Sequence, residues 1–249
     1  MRINFQSLLL LASFASSAAG CNGDARLCGR KYSNITQIGA HNRGAADPES
    51  GARGGGAVGY GDPLPASSVV TLLLTNQDKA DVSIFGKAMV NSGLAKFAYT
   101  PPKKLALNEW PTLQEMINSN KRLVMFLDYH ADTAKVPYIL DEFAYCFETP
   151  FSQTDPKFPQ CSVDRPPNAS SAGRFSIINH VLDIALTPGK DGVLIPDILG
   201  AEKTNSVASI MAQVGLCQMA HGTTPNFILL DYAERGEAIK AQNIMNHLV

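Results

Sequence analysis

Apolar runs that close on a polar residue recur along this chain. Asn34 to Asn42 reads N-I-T-Q-I-G-A-H-N, and Pro225 to Gly236 reads P-N-F-I-L-L-D-Y-A-E-R-G. The isoleucines at 35 and 38 predict a strand, Gly39 permits close backbone approach, and His41 falls at the strand's carboxyl end. The run Phe227 to Leu230 reads as a strand buried on both faces, closed by Asp231. Val69 to Asn76 and Leu123 to Tyr129 have the same build, the latter closing on Asp128. Phe175 to Asp183 predicts a strand ending at Asn179 and His180, and Val193 to Ile195 a further short one.

Between these runs the spacing becomes helical. Asp81 to Ser92 places Val82, Phe85, Met89 and Val90 on one side, and Thr112 opens a short helix ending near Asn120. Thr204 to Met219 carries Val207, Ile210, Met211 and Val214 at helical spacing, and a last helix runs from Glu237 to about His247. Strands alternating with helices predict an α/β fold, in which chemistry sits at the carboxyl ends of the strands. If the first and last strands pair, as closure of a barrel demands, Asp231 comes beside His41 and fixes its tautomer and basicity, as a general base requires. The other reading of Asp231 is a cap for the following helix.

Residues 43 to 68 break the pattern. They are rich in Gly, Ala, Pro and Ser, have no periodicity, and read as an irregular insert. The Gly54-Gly55-Gly56 run is no phosphate cradle, because no Lys-Ser/Thr follows it. Residues 130 to 173 form a second long segment, whose aromatics Tyr138, Phe143, Tyr145, Phe147 and Phe151 either line a pocket or pack the loop down.

At 249 residues and 45% hydrophobic content, the chain suffices for one substantial core, and it shows no internal repeat or composition shift that would mark a second domain. A net charge of -1 without clustered Lys and Arg argues against nucleic acid as a partner. Residues 1 to 20 read as a secretory leader: Arg2, an apolar segment from Leu8 to Phe14, then Ser17-Ala18-Ala19-Gly20 before a cut near Cys21. Five cysteines fit an oxidising compartment, with Cys21 and Cys28 expected as one disulfide, Cys161 and Cys217 as a second, and Cys146 left over. Sequons at Asn34 and Asn168 agree with a secreted, extracellular glycoprotein.

Several blocks, in one order, now carry a resemblance. I-T-Q-I-G-A-H-N, V-V-T-L-L-L-T-N, L-A-L-N-E-W-P-T-L-Q-E, F-L-D-Y-H-A-D, E-T-P-F-S-Q-T-D-P, S-I-I-N-H-V-L-D and N-F-I-L-L-D-Y together resemble the secreted fungal branch of the PLC-like phosphodiesterases. The resemblance implies a distorted (β/α)8 TIM barrel, related to the phosphatidylinositol-specific phospholipase C catalytic domain, and a phosphoric diester hydrolase of lipid metabolism. It implies that His41 acts as general base on a hydroxyl next to the phosphodiester. A second histidine after the third strand is the general acid, and an arginine or Ca²⁺ balances charge. The implied substrate is a phosphodiester lipid or inositol phosphate, met at a membrane surface in passing by a monomer. In calcium-using relatives an asparagine placed like Asn42 helps to hold the ion.

The chain departs from that pattern between His41 and Val69. Two βα units need roughly 60 residues, and residues 42 to 68 cannot supply them. The second and third strand units, with the second catalytic histidine, therefore have no counterpart, and two explanations stay open: a splicing or gene-model defect, or a degenerate paralogue. The candidate site comprises His41 and Asp231 as catalytic residues, with Asn42, Asp128, Asn179 and His180 toward the substrate. His130 lies two residues past Asp128 outside the matched pattern, and His221 and His247 are expected at the surface. The alternative in a different class is a non-catalytic secreted binding or scaffold protein that keeps the barrel.

Overall fold

A computed structural model of the chain describes residues 8–11 (as backbone), 20–41, 64–186 and 193–249. In chain order the strands are β1 (Leu8–Leu11), β2 (Gln37–Ala40), β3 (Val70–Leu74), β4 (Leu123–Leu127), β5 (Ile139–Asp141), β6 (Cys146–Glu148), β7 (Phe175–Asn179), β8 (Asp183–Ala185), β9 (Leu194–Pro196) and β10 (Phe227–Leu230). The helices are α1 (Val82–Asn91), α2 (Leu113–Asn118), α3 (Glu142–Tyr145), α4 (Ala201–Thr204), α5 (Val207–His221) and α6 (Ala238–Met245). The chain divides into two units: Met1–Ile35 with Asn42–Ala144, and Thr36–His41 with Tyr145–Val249.

In the first unit β3, β4 and β5 run parallel, and β1 pairs antiparallel to the other edge of β3. All five residues of β3 and of β4 are buried, as expected for continuous apolar runs covered on both faces. Val70, Leu72 and Leu74 alternate into one cluster with Met125, Leu127, Ile139 and the inner face of α1. Asp81 caps α1 by accepting from Ser83 N, and Thr112 and Glu115 form a capping box on α2.

In the second unit β2, β10, β7 and β6 form a parallel array in that order. The backbone N–H groups of Gln37 and His41 bond toward β10, so those of Thr36 and Ile38 point the other way. On that side two side chains of α6 accept from the backbone: Asn246 Oδ1 from Thr36 N at 2.9 Å and Gln242 Oε1 from Ile38 N at 2.8 Å. Gln242 and Asn246 are both buried, and α6 and α5 cover this face with Ala241, Met245, Ile210 and Val214.

Several expectations change. Both arrays are mixed α/β with parallel strands, but neither closes on itself, so a closed TIM barrel is not what is observed. The strand expected to end at Asn179 and His180 is β7, which ends at Asn179, and Asp183 opens an antiparallel hairpin of β8 with β9. β5, α3 and β6 lie in the long segment that reads as loop. The irregular insert ends earlier than expected: Leu64 is buried in the first core, Ser68 is buried, and Pro65 O accepts from Arg122 Nη1 at 2.9 Å. Residues 43 to 63 lie outside the described residues, as does most of the expected leader; its described part, Leu8–Leu11, is β1.

Candidate active site

The site belongs to the second unit and starts from strand register. Ala40 and Leu230 are partners on the parallel strands β2 and β10, so the next residues, His41 and Asp231, leave the sheet side by side. His41 N donates to Leu230 O at 2.8 Å, which carries the register one residue beyond the strand. The side chains meet there: His41 Nδ1 and Asp231 Oδ1 are 3.0 Å apart. The pair is partly open, with side-chain exposures of 32% for His41 and 12% for Asp231. A carboxylate on Nδ1 holds the proton at that nitrogen and presents Nε2 as the basic atom.

Asp231 is not a helix cap. Its backbone turn is held by Asn205, whose Nδ2 donates to Asp231 O at 2.9 Å and Tyr232 O at 3.1 Å. Tyr232 sits in left-handed backbone at φ 50°. The same turn leans on Gly236, where a Cβ would stand 2.8 Å from Asn205 O, so only glycine fits.

Asp183, not among the residues the sequence pointed to, lies near enough to this pair for their charges to act on it. Burial and then the like charge of Asp231 push its carboxyl above the usual range, while His41 acts in the opposite sense. Its backbone N donates to Gln153 O at 2.7 Å. Asp183 also lines a cavity of about 770 Å³, bounded by β8, α4, the start of α5 and the segment around Pro156 and Lys157.

Asn179 and His180 lie in the same unit, with their polar atoms engaged by the chain itself. Asn179 Nδ2 donates to Glu148 Oε2 at 2.9 Å and to Thr149 O at 2.8 Å. Glu148, buried in β6, receives Arg165 Nη2 at 2.8 and 2.7 Å on its two oxygens. Neither Glu148 nor Arg165 was singled out in the sequence, and their spacing has no motif. The ring of His180 is buried against Phe158 at 4.0 Å, with Nδ1 at 2.5 Å from Gln213 Oε1 and Nε2 at 2.8 Å from Thr204 O. Burial pushes its pKa down, against those two hydrogen bonds. Both of its ring nitrogens are thus engaged within the protein.

Asp128 belongs to the first unit and ties strand ends together: its Oδ1 accepts from Asn76 N at 2.6 Å. His130 is exposed there, at φ 61°. His247 is exposed as expected, but His221 is half-buried, with Nε2 2.6 Å from Cys161 O and its ring on Phe147 at 4.8 Å. None of the five aromatics of the long segment lines the large cavity; Tyr145 and Phe147 are buried, and Phe151 lies under Arg165. Asn42 lies outside the described residues. Cys21 is joined to Cys28 and Cys161 to Cys217, while Cys146 is buried in β6. Asn34 and Asn168 are both exposed.

Ca²⁺ takes 6 to 8 oxygen ligands. Among the described residues no group of three or more acidic, histidine or cysteine side chains converges as a metal site. The described residues therefore offer no ligand set for the ion, and no step is assigned to it.

The family model of the PI-PLC X domain (PI-PLC X 1) matches residues 64–246. This chain belongs to the PI-PLC X family. It is 35% identical to "PI-PLC X domain-containing protein 1" of Arthroderma benhamiae, over 96% of this chain and 95% of that protein. It is 34% identical to an "Uncharacterized secreted protein" of the same organism, over 87% of this chain and 60% of that protein. No solved structure matches the chain. The first of these alignments spans 295 positions, about 56 more than the roughly 239 residues that this chain contributes. That surplus is close to two βα units. The match begins at Leu64, the residue where the chain re-enters a core.

Proposed function

We propose that this PI-PLC X family chain is a secreted phosphoric diester hydrolase in which His41, oriented by Asp231, is the general base. The observation that carries this reading is the 3.0 Å contact between the two side chains at adjoining strand ends. The substrate is a phosphodiester beside a free hydroxyl, as in an inositol phospholipid. His41 Nε2 takes the hydroxyl proton, the oxygen attacks phosphorus, and the bond to the leaving alkoxide breaks. The alkoxide must then gain a proton. Among the described histidines of this unit, His180 and His221 are packed into the protein and His247 lies past the last helix. Asp183 is the acid beside the pair and the group assigned to supply that proton. Two further supports are the curated relative named as secreted and the two disulfides, which fit an extracellular location.

The finer fold reading is a PLC-like barrel that has lost its second and third strand units. It is supported by the alignment surplus. That loss also favours a second reading, a binding protein without turnover. Phosphorus NMR on a water-soluble inositol phosphodiester separates the two. The hydrolase gives a cyclic phosphate that His41→Ala does not form; binding with no product above the His41→Ala background sinks the enzyme.

A further inference from the structure

His180 is a buried, titratable side chain to which the proposed reaction gives no part. It follows β7 directly, and its backbone N donates to Leu229 O at 3.0 Å, which seats it against β10. Its ring packs on Phe158, itself buried, and reaches two helices. Nε2 lies 2.8 Å from the carbonyl oxygen of Thr204, the last residue of α4, and 3.2 Å from Ser209 Oγ in α5. A carbonyl oxygen can only accept, so the ring carries a proton on Nε2 and donates it there. Nδ1 faces the side-chain amide of Gln213, a buried residue of α5, with Oε1 at 2.5 Å. Burial favours the neutral ring, and a half-turn of that amide lets Gln213 donate to an unprotonated Nδ1. The imidazole thus joins the end of a strand to both helices.

Thr204 is followed by Asn205, and that neighbour is what the pair of His41 and Asp231 leans on. Asn205 Nδ2 donates to Asp231 O at 2.9 Å and to Tyr232 O at 3.1 Å, while Asn205 O accepts from Glu237 N at 2.9 Å. His180, Thr204, Asn205, Asp231 and Tyr232 all border a cavity of only about 10 Å³, so a shift at Thr204 has little room to be absorbed before it reaches Asp231.

We infer that His180 is a positioning residue: through Thr204 and Asn205 it fixes the turn that aims the Asp231 carboxylate at His41. The inference rests on the reading of His41 and Asp231 as the reacting pair. The two ring nitrogens are taken up within the protein, so the ring itself neither gives nor takes the reaction's protons. Its part is to hold the junction of α4 and α5 at one distance from β7. Packing alone is the competing account, and it makes the volume of the ring the only thing that matters. The hydrogen bond from Nε2 separates the two.

Two amide substitutions divide the functions of the ring. In His180→Gln the amide nitrogen stands where Nε2 stood and still reaches Thr204 O, whereas in His180→Asn it stands near Nδ1 and does not. His180→Asn should lower kcat on a soluble inositol phosphodiester by roughly tenfold to a hundredfold with KM unchanged, and His180→Gln should restore most of it. Added to Asn205→Ala, His180→Asn should bring little further loss, because both act on one turn. Nitrogen NMR of the His41 ring reads its state without any turnover. Wild type and His180→Gln should show one tautomer, with the proton on Nδ1, and His180→Asn a mixture. A His180→Gln protein as slow as His180→Asn overturns the inference. So do losses that multiply in the double variant, or a His41 signal unmoved in folded His180→Asn. Should His180→Asn not fold, His180→Gln decides alone: a kept rate and signal support the inference, and a lost signal in the folded variant overturns it. If wild type cleaves no phosphodiester, the catalytic reading fails, and the His41 signal still decides whether His180 sets Asp231.

Discussion

The side-chain amide of Asn205 donates to the main-chain carbonyl of Asp231 at 2.9 Å, so a buried residue between α4 and α5 fixes the turn that carries the partner of His41. Asn205 is a positioning residue. Asn205→Ala leaves the carbonyls of Asp231 and Tyr232 without this donor, at a cost of about 1–3 kcal/mol in folding free energy. It should lower kcat with little change in KM, because it moves the base and not the binding surface. A kcat at the wild-type value in a folded Asn205→Ala protein would remove this role.

Asp231→Asn should keep the fold and lose turnover by roughly 10⁴-fold, since an amide can hold the imidazole in the wrong tautomer. His41→Ala should lose at least as much, and the double variant little more than either alone, as for groups that act as one unit. Single-turnover rates on a soluble inositol phosphodiester decide it.

The pH dependence of stability follows from Asp183. Its folded pKa lies above the unfolded value, so the folded state binds the proton more tightly and stability rises as pH falls through the folded pKa toward the unfolded one. At neutral pH the carboxylate opposes folding. Asp183→Asn should therefore raise Tm at pH 7, with a smaller gain near pH 4, while turnover drops for want of the proton donor. Thermal melts across that range check the sign; an equal shift at both pH values would refute it.

Glu148 is buried and charged, and Arg165 is its cation. Arg165→Met should cost about 3–5 kcal/mol by leaving that charge uncompensated. Arg165→Met with Glu148→Gln should recover most of it. Urea unfolding of the two variants measures the difference, and a single variant as stable as the double would show that the pair carries little.

The disulfide Cys161–Cys217 closes a loop with a sequence separation of 56 and packs into the core of the second unit. Serine at both positions should cost about 4 kcal/mol by the chain-entropy estimate. Denaturant melts of the non-reduced proteins test it.

His41 and Asp231 were legible because each closes an apolar run, and two parallel strands in register bring the residues after them together. Helices α1 and α5 were legible for a similar reason, since their apolar residues recur at helical spacing. β5, β6 and β8 were not, because three residues carry no period. Glu148 and Arg165 stayed hidden for a different cause: a buried ion pair is written in the sequence as two charges in a polar, proline-rich segment. Asn179 and His180 were placed correctly at a strand end, but nothing local reveals that Glu148 and Gln213 occupy their polar atoms. The run Val193 to Ile195 was legible as the short strand β9, but its exposure was not, because an apolar run at the surface looks in sequence like one in a core.

The hydrogen bonds between the side chains of Gln242 and Asn246 and the backbone of Thr36 and Ile38 make the end of α6 the footing of a residue some two hundred positions upstream. A nonsense codon or a proteolytic nick ahead of Gln242 would leave every proposed reacting group in the chain and still disarm it, because the strand that aims His41 would lose its brace. Carboxy-terminal trimming is thus a route to an intact-looking but silent protein.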